Sequence, residues 1–182
     1  MTRPSPGLIH VYTGDGKGKT TAALGLALRA AGHGWRTYIG QFLKGQNYGE
    51  LRAGELLNGA ITIEQFGNPT FIRVDADGKG STATPEDIAL ARKGIDAVRS
   101  AMLGGQYQIV VMDEINVALY FKLLTVQDVI AVLERKPADV ELVLTGRRVP
   151  QEILNYADYV TEMREHKHPY QRGIRARQGI EF

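Results

Sequence analysis

The 182-residue sequence contains no cysteine, which excludes disulfide bridges and thiolate-bound metal centres. It has no apolar run long enough to cross a bilayer. Residues 1–6 are polar and lack the hydrophobic region of a secretory signal. These absences lead to the expectation of a soluble cytoplasmic protein. Neither sign of charge dominates: Lys plus Arg number 22 against 20 for Asp plus Glu. Overall charge therefore offers no footprint for nucleic acid. There is one tryptophan, Trp35, which opens a candidate strand and reads as structural. No internal repeat and no low-complexity segment is present. The length fits a single domain over residues 1–182 with a well-buried core.

Glycine is plentiful, at 21 residues, and much of it punctuates an alternation of strands and helices. Apolar runs predict strands over residues 8–12, 36–42, 61–66, 108–113, 140–145 and 159–163. A helix follows the first run and ends near Gly32 and Gly34. A short helix is predicted over 49–58. Thr84-Pro85-Glu86-Asp87 opens the longest helix, with Thr84 as N-cap, Pro85 at the first helical position and acids in the first turn. Ile88, Ala91, Ile95, Val98 and Met102 then share one face. Thr125 caps a further helix running through Glu134, and Pro150 starts another short one. This alternation predicts an α/β fold, a mostly parallel sheet with helices on both faces and right-handed crossovers.

The first strand runs directly into Thr13-Gly14-Asp15-Gly16-Lys17-Gly18-Lys19-Thr20-Thr21, and a helix follows. Strand, glycine loop, Gly-Lys-Thr and helix together make a phosphate-binding arrangement. Glycines let backbone N–H groups turn inward around an anion. The helix N-terminus adds its positive dipole end. Lys19 can place its ammonium on phosphates, and the Thr20 hydroxyl can ligate Mg²⁺. The usual spacing puts a glycine where Thr13 stands, and here the glycine comes one place later, at Gly14. The loop is thus expected to hold its phosphates in an unusual register.

A second site should accompany the first. Gln108-Ile109-Val110-Val111-Met112 leads to Asp113-Glu114, an apolar run delivering two carboxylates as a buried parallel strand does. Mg²⁺ takes hard oxygen ligands, commonly one or two carboxylates plus phosphates. Asp113 or Glu114 can ligate it, directly or through water. Because ligands in open α/β sheets bind beyond the carboxyl ends of strands, residues 44–47, the irregular loop after the third strand, Asp113-Glu114 and Gly146-Arg147 should line one crevice around the phosphate loop. The irregular segment 66–83 is either a binding loop or an insertion. The cluster of Arg164, His166, Lys167, His168, Arg172, Arg175 and Arg177 either meets a polyanion or is a solvated tail. His10 reads as structural, and His33 falls in a turn.

These pieces resemble the ATP:corrinoid adenosyltransferases of the bacterial cobalamin pathway. The resemblance rests on residues 12–23, Gln41-Phe42-Leu43-Lys44-Gly45, Asp113-Glu114-Ile115-Asn116 and Leu144-Thr145-Gly146-Arg147. It continues through residues 157–163, Lys167-His168-Pro169 and the ending Gln178-Gly179-Ile180-Glu181-Phe182. It covers nearly the whole chain, in order, and makes the displaced Gly14 a family trait. It implies a P-loop, RecA-like domain, usually a homodimer, supplied with electrons by a flavoprotein reductase. The implied reaction moves the 5′-deoxyadenosyl group of ATP to a Co(I) corrinoid and releases triphosphate. By resemblance, Gly14, Asp15, Gly16, Lys17, Gly18, Lys19, Thr20 and Thr21 hold the triphosphate. Thr20 and Glu114, with Asp113, hold Mg²⁺, and Lys19, Thr20 and Glu114 are the catalytic set. Lys17 and Arg147 are further candidates for the departing charge.

Two departures stand out. Many members carry an aromatic piece with a tryptophan after the third strand. This sequence reads Gly67-Asn68-Pro69-Thr70-Phe71-Ile72 there, so Phe71 becomes the candidate for the corrinoid face. Some members also have a long amino-terminal arm, whereas seven residues precede the first strand here. Three rival readings remain at this point: a generic P-loop kinase or ATPase, a non-catalytic nucleotide-binding module, and a metal module using His166 and His168.

Overall fold

A computed structural model describes residues 3–70, 72–73 and 81–182. Phe71, the corrinoid-face candidate, lies outside the described residues. Six parallel strands form one sheet: β1 Ile9–Thr13, β2 Thr37–Phe42, β3 Ile61–Phe66, β4 Ile109–Asp113, β5 Glu141–Thr145 and β6 Tyr159–Glu162. Their order is β3-β2-β4-β5-β1-β6. The six predicted strands are all present, with ends shifted by at most one residue.

Strands buried on both faces show continuous apolar runs, and β2 and β4 have every residue buried. Period-2 alternation then divides their side chains between two layers. Val110 and Met112 of β4, with Tyr38 and Phe42 of β2, pack under one cluster with Val98, Met102 and Val129. Ile109 and Val111 point the other way, against Ala23 and Ala27 of helix α1, Lys19–Ala31. Trp35 packs against this second cluster. Helices α2 (Gly49–Leu56) and α3 (Pro85–Leu103) follow β2 and β3.

The start of α3 is as predicted. Thr84 accepts from the Asp87 backbone N–H while the Asp87 carboxylate accepts from the Thr84 backbone N–H, and Pro85 occupies the first turn. Ile88 does not join the buried face. It is 37% exposed, whereas Gly94 is buried so close to Phe42 and Phe66 that a methyl group on it would fall 2.8 Å from the Phe42 ring. Helix α5, Val126–Leu133, carries the same reciprocal cap between Thr125 and Asp128. Helix α6, Gln151–Leu154, starts after Pro150 as expected. Helix α4, Ile115–Tyr120, has no counterpart in the sequence expectations. No helix among the described residues is long and apolar enough to cross a membrane.

The chain moves from β1 outward to β2 and β3, then returns to β4, β5 and finally β6. That reversal sets a crevice at the carboxyl ends of the central strands. The loop after β1, the end of β4 and the end of β5 all open into it.

Candidate active site

The loop leaving β1 is shaped by where its glycines must pass. Gly14 has φ +91° and Gly18 φ +122°, left-handed values that favour glycine. A methyl group on Gly14 would fall 2.4 Å from the Met163 carbonyl oxygen, and one on Gly16 2.7 Å from the same atom. The Gly16 N–H donates to that oxygen at 2.6 Å, and the Met163 N–H donates to Thr13 O at 2.8 Å. The segment leaving β6 is therefore laced to the glycine loop. This contact explains why small residues stand at 14 and 16.

Lys19 begins α1 and is 6% exposed. Its ammonium donates to the carbonyls of Gly14 and Gly16, both at 2.7 Å. Burial pulls its pKa below the usual lysine value, opposed by Glu114 and reinforced by Arg147. The next residue, Thr20, donates its hydroxyl to Asp113 Oδ1 at 2.8 Å. Its lone pairs stay available to a cation.

Asp113 ends β4 with no solvent exposure. Thr145 also donates to its Oδ1, at 2.7 Å. On the other oxygen, Lys44 Nζ stands at 2.8 Å and Gln41 Nε2 at 3.3 Å. Both carboxylate oxygens are thus engaged by protein donors, which casts Asp113 as the group that orients its neighbours. Glu114 turns the chain sharply with φ 62°, and its N–H donates to Thr145 Oγ1 at 2.8 Å. That turn brings its carboxyl toward the crevice. Burial raises its pKa, the Asp113 charge raises it further, and Lys44, Lys19 and Arg147 oppose the rise. Two adjacent acids in such a place fit a hard cation that also takes ligands from phosphate. Thr20 and Glu114 are the residues that would hold Mg²⁺, with Asp113 behind them. Among the described residues no cluster of three or more His, Asp or Glu side chains offers a self-sufficient metal site.

A cavity of about 700 Å³ collects these groups. Residues 16–21 form its floor, with Glu114 and Arg147 beside them. Lys44, Tyr48 and Glu50 make one wall, and His168 with residues 179–182 another. Of the expected phosphate-holding residues, Gly14 and Asp15 do not line this cavity. They line smaller hollows with Glu162, and Asp15 stands 3.9 Å from Arg147. Lys17 donates to the Ile180 carbonyl at 3.4 Å. A second hollow of about 250 Å³, lined by Phe42, Leu43, Ile72, Val117 and Phe121, shares Lys44, Tyr48 and Glu114 with the first. His10 is a satisfied structural histidine, its Nε2 2.5 Å from Glu141 Oε1.

A sequence profile of the ATP:corrinoid adenosyltransferase BtuR/CobO/CobP family matches residues 5–182. The chain belongs to this family. It is 36% identical over 181 residues to a corrinoid adenosyltransferase of Sinorhizobium sp., covering 97% of this chain and 80% of that one. Against the corrinoid adenosyltransferase of Pseudomonas aeruginosa, identity is 33% over 186 residues, covering 100% of this chain and 87% of the relative. An uncharacterised Nostoc protein is 39% identical over 177 residues, covering 90% of this chain, and the chain spans only 45% of that relative's length.

Set within an adenosyltransferase family, the site contains residues that motif reading passed over. Thr145 and Gln41 entered the sequence reading only as parts of quoted stretches, yet both hold Asp113. Glu50 accepts from Gln41 at 3.0 Å and lies 3.6 Å from Lys44. A polar residue in the middle of an otherwise apolar strand, as Gln41 is in β2, was the available signal.

Proposed function

We propose that this protein transfers the 5′-deoxyadenosyl group of ATP to a Co(I) corrinoid and releases triphosphate. One observation carries the reading. The cavity floored by Lys19 and Thr20 abuts an apolar hollow, and Lys44, Tyr48 and Glu114 belong to both. A nucleotide in the first and a macrocycle face against the second would meet at that boundary. Membership of the family and the names of its relatives support the choice of substrates.

Atoms and electrons balance without a side-chain base. The cobalt lone pair forms a bond to C5′, the C5′–O bond breaks, and its electron pair leaves with the triphosphate oxygen. Cobalt passes formally from Co(I) to Co(III). The protein's task is alignment and charge stabilisation. The loop amides and the helix α1 N-terminus face the polyanion. Lys19 supplies a cation there once its ammonium exchanges the Gly14 and Gly16 carbonyls for phosphate, and Arg147 supplies another. Bound Mg²⁺ would neutralise charge on the departing phosphates. Asp113 fixes Thr20 and, through Thr145, the Glu114 backbone.

We infer further that residues 1–182 act as one domain. A homodimer and a flavoprotein electron donor complete the reading and rest on the sequence resemblance, and a cytoplasmic setting is the default that goes with them. The deciding experiment is anaerobic. Reduced corrinoid and MgATP are mixed with the protein, and the cobalt–carbon absorption is followed alongside triphosphate. Equal yields of both are expected. Release of ADP instead would mark a kinase or ATPase.

A further inference from the structure

Segment 177–182 crosses the mouth of the main cavity and is held in shape largely by its own bonds. Arg177 N–H donates to Glu181 Oε2 at 2.8 Å, and its guanidinium reaches both carboxylate oxygens at 3.0 and 3.2 Å. The Glu181 N–H returns to Arg177 O at 2.9 Å, and the Gly179 N–H donates to Phe182 O at 2.7 Å. Gly179 makes the turn with φ +76°. Only a few contacts join this ring to the body. Lys17 reaches Ile180 O on one side, and on the other a methyl group placed on Gly49 would stand 3.9 Å from the Phe182 backbone. The ring therefore bridges the glycine loop and the start of α2.

The cavity has two chemical halves. Lys19, Thr20, Glu114 and Arg147 make one of them polar and charged. Leu24, Tyr48, Ile180 and Phe182 bring apolar surface to the same space. Ile180 is 57% exposed and Phe182 43% exposed, so both keep apolar surface free to contact a molecule in the cavity they line. A polyphosphate chain has no use for such surface, whereas a purine and ribose do. Arg177 meanwhile pairs with the Glu181 carboxylate, so that charge is neutralised within the ring.

We infer that segment 177–182 is a specificity element: Ile180 and Phe182 form the wall that receives the nucleoside of the nucleotide, while the glycine loop receives its phosphates. The inference rests on the nucleotide reading of the cavity given above, and it adds which residues discriminate a nucleoside triphosphate from inorganic triphosphate.

The test is calorimetric binding of MgATP and of magnesium tripolyphosphate, without corrinoid. Three variants are compared with the full chain: Ile180→Ser with Phe182→Ala, deletion of residues 177–182, and Lys19→Ala. Thermal melting reports whether each variant is folded, and the full-length double variant carries the test should the deletion not fold. For the double variant, MgATP binding is expected to weaken by about tenfold or more while tripolyphosphate stays within about twofold. Equal weakening of both ligands overturns the inference, since the segment would then only brace the loop through Lys17. Unchanged or tighter MgATP binding overturns it as well. Lys19→Ala should weaken both ligands; if it weakens neither, the nucleotide reading of the cavity itself falls, whatever the segment does.

Discussion

The Lys44 ammonium lies 2.8 Å from Asp113, whose side chain has no exposure to solvent. Burial alone would lower the Lys44 pKa, yet the Asp113 charge and hydrogen bond, helped by Glu50, raise it overall. Replacing Lys44 with methionine leaves a buried carboxylate short of its cation. Such a loss costs on the order of 3 kcal/mol. Urea denaturation of Lys44→Met at pH 7 should show a lower midpoint, and adding Asp113→Asn should restore much of the loss. A Lys44→Met midpoint equal to that of the parent would rule out the pairing as a source of stability.

Lys19→Ala removes the cation from the cavity floor. Turnover with ATP should fall by at least about a hundredfold, the scale seen when a single donor to developing charge is lost. The fold should survive, because among the described residues the Lys19 ammonium bonds only to the loop carbonyls of Gly14 and Gly16. Steady-state rates under anaerobic conditions, read beside a melting curve, separate these effects.

Glu114→Gln tests the cation site. It keeps the size of the side chain and relieves the repulsion from Asp113 that raises its pKa. The expected outcome is a folded protein, at least as stable as the parent, whose activity requires far more magnesium. Titrating Mg²⁺ at fixed ATP reads this directly, and an unaltered magnesium curve would exclude Glu114 as a ligand.

Two glycines should respond in opposite ways to alanine. Gly16→Ala drives a methyl group onto the Met163 carbonyl at 2.7 Å, at a cost of about 1–3 kcal/mol, with MgATP binding lost along with the loop's shape. Gly25 lies inside α1 with nothing within 4 Å of a built methyl group. There alanine should stabilise by about 1 kcal/mol through helix propensity. Thermal melting of both variants makes the comparison.

Acid should erase one helix cap. Hydrogen bonds from the Thr125 backbone and hydroxyl hold Asp128 below the usual 3.8. A depressed carboxylate pKa adds stability above the unfolded value and loses it as pH drops through the folded one. Thr125→Ala should therefore be less stable than the parent by about 1 kcal/mol at pH 7. The gap should shrink as pH falls below 3.8. A gap that is constant with pH would assign the effect to something other than Asp128.

The strands were legible as apolar runs, most clearly β2 and β4, where burial on both faces leaves every residue buried, and the β4 run ends at Asp113. The α3 start was legible because Thr84, Pro85 and Asp87 each have a local role. Helix α4 was not, since it begins straight after a left-handed Glu114 with no capping side chain to announce it. The helical period gave Ile88 to the buried face with Ala91, Ile95, Val98 and Met102, yet it lies in the first turn of α3 and is 37% exposed while the other four are buried. Within the site, Lys19, Thr20 and Glu114 follow from local motif chemistry. The hold of Thr145, Gln41 and Lys44 on one carboxylate does not, because it joins three strand ends that are distant in sequence.

The bond from Gly16 N–H to Met163 O also has a bearing on biosynthesis. In translation the residues of the anion cup are made well before the carbonyl that clamps them. Nascent chains halted before residue 163 should leave the early loop open to proteolysis even with nucleotide present, and those extended past it should acquire protection. Ligand binding would then depend on a contact made long after the loop itself is synthesised.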